Sequence, residues 1–446
     1  MSKRYLKSLI AIAVLVALWF AFTGWNRHKS HAQSSKPVVS AKVLPVSASQ
    51  IESFTITPNT GRGFSAVREG KTWAITEPQP VSADPAKVSS FLQSLTSATE
   101  DQQIASRPAD LKDFGLDPPA ETLDVTTDTH PRHFALALGE ETPTSSGVYA
   151  KVAGHSQVFT LTDDLKTSLE KKLFDLRDTR AVTLNTDQIN RIDVQNGAQS
   201  YTLAKNPEGV WEVSLPENVR ADHFTVEGLV DSLQSMTMQS VVSEDKKNDT
   251  QYGFAKPTLS VKLSAPGGNQ SLIFGKKASQ GYYAVNSALA PVFTLGEDSL
   301  SQFQKTASDL RDKNLFSWDM FDVKSFEVTT PKGHWAFEQN KNQWKEAAPA
   351  AKPASSDDVS AFLSALRGLE AASFPAAKPG ALAPFGLNKP SYVFKVSFGA
   401  SHQTEEVDVA QANGHVYARR ASDPLPSEVD SSAFTTVQNT FQKIAK

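Results

Sequence analysis

The chain has 446 residues, of which 39% are hydrophobic and 21% charged, a composition typical of a globular protein of about three domains. Its 45 Lys and Arg residues nearly balance its 48 Asp and Glu residues, which argues against a nucleic-acid-binding protein with its basic excess. The absence of cysteine excludes disulfides, thiolate metal centres, a cysteine nucleophile and a lipid-modified N-terminal cysteine.

The N-terminus is predicted to carry a membrane anchor. An uncharged apolar run from Leu9 to Trp25 follows a basic segment, and a helix of this length spans about 25 Å, close to the thickness of a hydrocarbon core. We therefore predict a cytoplasmic segment over residues 1–8, a transmembrane helix over 9–25 and a flexible linker over 26–47. A cleaved signal peptide is the alternative, although basic residues between the apolar run and Ser30 disfavour cleavage.

The charge distribution also predicts a topology. Basic residues before the apolar run favour a cytoplasmic N-terminus, so the rest of the chain would lie outside the cytoplasm. No later stretch of the sequence has the length and apolarity of a membrane-spanning helix. The predicted location is the inner, cytoplasmic membrane, crossed once, with extracytoplasmic C-terminal modules.

Beyond the linker, the sequence repeats three times. Trp73, Trp211 and Trp344 are 138 and 133 residues apart, and each stands 42 residues before a glycine. Each glycine belongs to an aromatic-Gly-apolar-x-x-Pro motif, whose glycine and proline are Gly115 and Pro119, Gly253 and Pro257, and Gly386 and Pro390. This register, kept without gaps, predicts three homologous modules, which cover residues 48–180, 181–315 and 316–446.

Each module is predicted to contain an amphipathic helix and an antiparallel sheet. Apolar residues recur 15, 18, 19 and 22 positions after each tryptophan, a spacing that places them on one helix face. They are Val88, Phe91, Leu92 and Leu95; Val226, Leu229, Val230 and Leu233; and Val359, Phe362, Leu363 and Leu366. Alternating apolar segments on both sides of the helix predict strands with one buried face. The predicted fold class is therefore α+β, with helices packed on each sheet.

An Asp-Leu-Arg-Asp element closes the first two modules and is absent from the third. It contributes Arg177 and Asp178 to one junction and Arg311 and Asp312 to the next. Because the element recurs where one module passes into the next, we interpret it as structural, with each arginine bridging modules or pairing with a carboxylate. The alternative is that the arginines bind an anion.

No arrangement of residues in the sequence indicates catalysis. The positions shared by all three repeats are tryptophan, glycine, proline and aliphatic residues, which are typical of cores and turns. The two closest histidines beyond the N-terminal region, His130 and His133, flank a proline outside any carboxylate cluster. We therefore predict no catalytic, cofactor-binding or metal-binding residue. Sugar stacking on the tryptophans is an alternative, although their fixed register favours a buried role.

The repeat resembles a bacterial family of unknown function. The resemblance rests on the short anchor, the helix stripe, the glycine motif and a Trp-x-Ile/Val strand, present as Trp73-Ala74-Ile75 and Trp211-Glu212-Val213. It covers most of residues 48–446, and the third copy departs from it because Trp344-Lys345-Glu346 lacks the aliphatic residue. Members of the family that this chain resembles are membrane-anchored repeat proteins, often encoded beside ABC transporters of the gliding-motility type. The family brings no catalytic residues to carry over.

These observations together suggest a function. We expect a non-catalytic, membrane-anchored, extracytoplasmic accessory or scaffold subunit of an ABC-type transport or surface-machinery complex. Its partners would be the inner membrane and a transporter permease, ATPase or auxiliary subunit, and not a nucleic acid. The main alternative is a periplasmic binding module for cell-wall or surface polysaccharide, and a third is an uncharacterised hydrolase.

Overall fold

The computed structural model describes residues 41–129, 132–197, 199–246, 249–341 and 343–446. The predicted cytoplasmic segment, the predicted transmembrane helix and the linker up to residue 40 lie outside these residues. Among the residues described, no helix has the length and apolar character needed to cross a membrane.

Three antiparallel sheets of nine strands each follow one another along the chain. The first module comprises β1 (Ile51–Pro58), β2 (Phe64–Glu69), β3 (Thr72–Glu77), β4 (Val81–Ser82), α1 (Pro85–Ser97), β5 (Gln102–Ala105), β6 (Glu121–Thr127), β7 (His133–Glu141), β8 (Gly147–Val152), β9 (Val158–Thr162), α2 (Asp163–Leu169) and α3 (Leu173–Leu176). Its strand order is β4-β3-β2-β1-β6-β7-β8-β9-β5, which places the strand that follows α1 at the far edge of the sheet.

The second and third modules repeat this order. The second comprises β10 (Arg191–Asn196), β11 (Gln199–Lys205), β12 (Trp211–Leu215), β13 (Val219–Arg220), α4 (His223–Ser235), β14 (Ser240–Ser243), α5 (Asp249–Tyr252), β15 (Leu259–Ala265), β16 (Gly268–Lys277), β17 (Tyr282–Asn286), β18 (Val292–Leu295) and α6 (Glu297–Ser301). The third comprises β19 (Val323–Thr330), β20 (Gly333–Asn340), β21 (Gln343–Ala348), β22 (Lys352–Pro353), α7 (Ser356–Arg367), β23 (Ala371–Ser373), β24 (Tyr392–Phe398), β25 (Gln403–Ala412), β26 (His415–Arg420), β27 (Ser427–Val429) and α8 (Ser431–Ile444). The prediction of three α+β modules with antiparallel sheets and packed helices is confirmed.

The helix that follows the first four strands of each module buries the predicted apolar stripe. All four stripe residues of α1 and of α7 are buried. In α4, three are buried and Val230 is half-buried, so the stripe of the second module is narrower than predicted. Asp84, Asp222 and Ser355 cap the three helices with side-chain hydrogen bonds to first-turn amides.

The first module begins earlier than the predicted boundary at residue 48. Val43 and Leu44, which the sequence assigns to the linker, are buried in the core of this module. An isolated strand bridge holds the same segment in every module, as Lys42 with Thr99, Arg180 with Thr237, and Asn314 with Glu370. The segment is too short to show the alternation that identifies a strand, which explains why the sequence pattern missed it.

The repeated tryptophans lie in the cores. Trp73, Trp211 and Trp344, on the third strand of their sheets, are 7%, 7% and 6% exposed. The ring of Phe54 lies 5.4 Å from that of Trp73, and the ring of Phe326 lies 5.5 Å from that of Trp344. Their large apolar surfaces are therefore used within the modules.

The third module keeps its sheet edge although it lacks the aliphatic residue after the tryptophan. Glu346, at the position of the fully buried Ile75 and Val213, is only 2% exposed. Its carboxylate lies 3.3 Å from the Lys352 ammonium, and the two residues are paired between β21 and β22. An ion pair between a buried carboxylate and a lysine whose side chain is 44% exposed here takes the place of an apolar core contact.

The aromatic residue of the glycine motif packs on a tyrosine of the sheet. The ring pairs are Phe114 with Tyr149, Tyr252 with Tyr283, and Phe385 with Tyr417, at centroid distances of 5.1, 5.0 and 5.0 Å. The glycines that follow, Gly115, Gly253 and Gly386, have φ values of 63°, 86° and 72°. This left-handed conformation favours glycine. The motif prolines, Pro119, Pro257 and Pro390, each stand two residues before the next strand.

A second glycine lets the motif loop approach the sheet in the first two modules. A Cβ on Gly139 would lie 2.2 Å from the Phe114 carbonyl oxygen, and one on Gly275 would lie 2.1 Å from the Tyr252 carbonyl oxygen. The third module has Ala410 beside the motif glycine, where a Cβ on Gly386 would be 3.3 Å from the alanine methyl. In the third module, the motif loop therefore leaves room for the Ala410 methyl between itself and the sheet.

We expect Gly275→Ala to destabilise the second module by about 1–3 kcal/mol, because the added methyl overlaps a backbone carbonyl that cannot move without the loop. The matched control, Ala410→Gly, should cost less than about 1 kcal/mol, since it only removes a tolerated methyl. Chemical denaturation followed by tryptophan fluorescence measures both changes. Equal unfolding midpoints for Gly275→Ala and the parent protein would contradict this account of the motif.

Candidate functional site: the cleft between the second and third modules

The chain divides into two compact units, residues 1–178 and 179–446, and the second unit contains the second and third modules. Where these two modules meet, they form a cleft of about 860 Å³. The second module lines it with the β11–β12 turn, β13 and the first turns of α4. The third module lines it with the β24–β25 turn.

Arg220, the last residue of β13, joins the two modules at this cleft. Its Nε donates to Asp312 at 2.7 Å, its Nη1 to Glu405 at 3.0 Å and its Nη2 to the Asn314 carbonyl at 2.8 Å. The side chains of Asp312 and Glu405 are only 12% and 17% exposed. Charge-assisted bonds between partly desolvated groups are stronger than exposed ion pairs, so Arg220 fixes the second module to the junction and to the third.

Arg420 of β26 continues the network into the third module. Its Nε and Nη2 donate to one Asp423 oxygen at 3.0 and 2.8 Å, and its Nη1 donates to the Asn314 carbonyl at 2.5 Å. The same Nη1 lies 3.7 Å from Asp312. Two arginines therefore converge on the Asn314 carbonyl and on the Asp312 carboxylate from opposite modules.

A neutral version of this arrangement exists inside the second module. The Thr183 amide donates to the side-chain oxygen of Gln270 on β16, and the Gln270 side-chain nitrogen donates to the Thr183 hydroxyl. At the equivalent position of β25, the Glu405 carboxylate accepts from the amide and the hydroxyl of Ser317. Asn286, at the position of Arg420, donates to the Ala181 carbonyl at 2.8 Å and to the Gln270 side-chain oxygen at 3.0 Å. The third module has charged side chains, Glu405 and Arg420, where the second module has the amides Gln270 and Asn286. The negative charge of Glu405 allows the third module to bind Arg220.

The junction arginine Arg311 lies next to the network. It is 5% exposed, and its guanidinium carbon is 4.0 Å from the centre of the Phe374 ring of the third module. Within the described part of the chain, its Nε and Nη2 have no hydrogen-bond partner. Burial lowers the pKa of Arg311 to about 10, which Asp423 opposes and Arg420 reinforces, so the group stays cationic at neutral pH.

The two predicted junctions share a backbone arrangement. Arg177 is 4% exposed and bridges to Ala83, while Arg311 bridges to Ala221. The amide of Asp178 donates to the Ser82 carbonyl, and that of Asp312 donates to the Arg220 carbonyl. At the second junction the ion pairs are formed by Asp312, and the buried Arg311 contributes an aromatic contact.

Each repeat matches the domain of unknown function DUF4340, over residues 73–215, 211–353 and 344–445. The chain belongs to the DUF4340 family. Each match starts at a repeated tryptophan, so in the first two copies it runs from the third strand of one sheet to the third strand of the next. The DUF4340 match is therefore out of phase with the folded module: β10 and β11 of the second sheet fall in the first match, and the strands from β13 to β18 fall in the second. No curated protein and no solved structure matches the chain.

The residues singled out in the sequence lie at positions that support the fold of the DUF4340 modules. The tryptophans and the motif glycines lie in the module cores and loops described above. His133 is exposed and lies 3.3 Å from Asp124, whereas His130 is outside the described residues. Across the described ranges, no group of three His, Asp or Glu side chains is placed to hold a metal ion. Sequence reasoning missed Arg220, Glu405 and Arg420, since they differ between the repeats.

One carboxyl group of the first DUF4340 module has an unusual environment. Burial raises the pKa of Glu121, the first residue of β6, to about 7, and the charge of Glu170 adds to the shift. The buried Glu121 Oε1 atom has no hydrogen-bond partner among the residues described. The folded state therefore disfavours the ionised form of this side chain.

We expect Arg220→Met to destabilise the second unit by about 3 kcal/mol, because Asp312 and Glu405 lose their main counter-charge while largely buried. Calorimetric unfolding should then show separate transitions for the two modules. Combining Arg220→Met with Asp312→Asn and Glu405→Gln should recover part of the loss. Arg191→Met, which breaks an exposed ion pair with Asp193, is the control and should cost less than about 1 kcal/mol. A parent-like transition in Arg220→Met would contradict the proposed role.

We expect the effect of Glu121→Gln to depend on pH. In the unfolded chain this carboxyl ionises near 4.5, whereas in the folded protein its pKa is about 7, so its contribution to stability is lost as pH rises between these values. Glu121→Gln should therefore stabilise the protein at pH 8 relative to the parent, and this gain should shrink toward pH 4.5. Denaturation curves at both pH values test this, with the exposed Glu69→Gln as control. A gain independent of pH would refute the titration.

Proposed function

We propose that this DUF4340 chain is a non-catalytic, membrane-anchored, extracytoplasmic scaffold or accessory subunit of an ABC-type transport or surface-machinery complex. The observation that carries the scaffold part is the network of Arg220, Asp312, Glu405 and Arg420, which holds two modules in one unit. Its bonds join one module to the next and present a cleft between them. A fixed arrangement of this kind suits a protein that positions partners.

The repeated residues support a structural role. The tryptophans are buried, and the motif glycines serve close packing of a loop on a sheet. A ligand-binding site made of the positions that the three repeats share would therefore have little exposed side-chain surface in any module. The predicted anchor over residues 9–25 and the family resemblance support the membrane location and the transporter association.

Polysaccharide binding through the repeated tryptophans is less well supported. Stacking on a sugar requires an exposed aromatic face, whereas these rings are at most 7% exposed. In Trp211, which borders the cleft, the ring also faces the Lys205 ammonium at 5.1 Å. Truncating these tryptophans is expected to unfold a module rather than to abolish binding to glycans.

We expect the tagged full-length protein, purified from mildly solubilised host membranes, to retain a transporter ATPase and permease in stoichiometric amounts. Mass spectrometry identifies and quantifies the co-purified proteins. An unrelated single-pass protein with the same tag is the control for non-specific recovery. Purification of the chain without any transporter subunit would overturn the proposed function.

A further inference from the structure

We propose that the cleft between the second and third modules binds a basic segment of a partner protein, an extended stretch with lysine or arginine next to an apolar side chain. The inference rests on the proposed scaffold function and names the chemistry of the partner. At about 860 Å³, the cleft is within the usual size range of protein ligand sites and can hold a few residues of an extended chain.

The charge of the cleft favours a cationic ligand. Six carboxylate side chains line it, against Lys205 and Arg220. Arg220 is already neutralised by Asp312 and Glu405, so it leaves no positive charge for an anion. Glu208 and Glu227 are solvent-exposed carboxylates in the lining, and the Glu227 side chain is 54% exposed. The Glu227 carboxylate also lies 3.1 Å from Nε2 of His223, and an incoming lysine or arginine would share it with this imidazole. Glu208 and Glu227 are the exposed carboxylates with which a basic ligand would pair.

One apolar side chain in the cleft and one beside it favour a ligand that is not purely ionic. Val210, which lines the cleft, is 46% exposed. Phe224, next to the lining residue His223, is 81% exposed at the start of α4. An apolar ligand side chain that covers these groups would remove their surface from water, which favours binding. An apolar side chain flanked by basic residues matches this combination.

Comparison of the repeats shows that the fold does not require these residues. The position of Phe224 is occupied by Ala86 in α1 and by Asp357 in α7. The position of Glu227 is occupied by Ser89 and Ser360. All three helices nevertheless bury equivalent stripes on equivalent sheets. An exposed phenylalanine and a carboxylate are therefore additions of the second module to a common scaffold, placed where the third module completes the cleft.

The test uses the purified full-length protein and three short synthetic peptides. One has the order lysine, phenylalanine, lysine; one replaces both lysines with glutamate; one replaces the phenylalanine with glycine. We expect the first to bind most tightly and its affinity to fall when the salt concentration is raised about tenfold. Glu208→Gln with Glu227→Gln should weaken this binding about three- to tenfold, and Phe224→Ser should remove the preference for phenylalanine over glycine.

The matched control is Glu52→Gln with Glu69→Gln, which changes the net charge equally at exposed positions of the first module. Equal binding of the acidic peptide, or an equal loss in the control variant, would overturn the inference. Co-purification distinguishes a failure of the cleft inference from a failure of the proposed function. If the transporter subunits are retained equally by the parent and by the Glu208→Gln and Glu227→Gln variant, the cleft inference fails and the scaffold function stands. If the parent retains none, the proposed function fails whatever the peptides do.

Discussion

The bonds of Arg220 are the interaction on which the arrangement of the second and third modules depends. One guanidinium satisfies a carboxylate of the junction, a carboxylate of the third module and the carbonyl at the start of that module. Three acceptors in fixed directions specify both distance and orientation, which an apolar contact between modules would specify less tightly. Arg220, Asp312 and Glu405 all line the cleft, so this bond set joins its two walls.

The network also shows how a repeat protein can acquire a specific feature without changing its fold. Gln270 and Glu405 occupy equivalent strands and make equivalent hydrogen bonds to Thr183 and Ser317. The Gln270 amide bonds only within its own module, to Thr183 and Asn286. The Glu405 carboxylate bonds to Ser317 and also accepts from an arginine of the neighbouring module. Repeated positions thus keep the fold, and substitutions at the module contact determine which neighbour is bound.

The same distinction explains what the sequence could predict. Trp73, the stripe of α1 and Gly115 recur at fixed spacing because each contacts the sheet of its own module, and such local periodicity can be recognised in one chain. Val43 and Leu44 were missed because two buried residues in a short edge segment produce no period. Arg220, Glu405 and Arg420 were missed because their partners are distant in sequence and because a contact between modules occurs only once. The candidate site was therefore the least predictable part of the molecule.

The phase of the DUF4340 repeat determines where the chain should be divided into modules. A segment from Trp211 to the next tryptophan contains the helix, the glycine motif and most of a sheet, but the first two strands of that sheet, β10 and β11, lie in the preceding match. Cutting the chain at the tryptophans would leave each sheet without β10 and β11 or their equivalents, and the central strand β15 would keep only one of its two partners, β16. Cutting ahead of the bridge residues Arg180 and Asn314 keeps every strand with its sheet. Because Arg220 bonds to Asn314 and Glu405 across the second of these boundaries, the second and third modules should be kept together wherever the cleft is to be preserved.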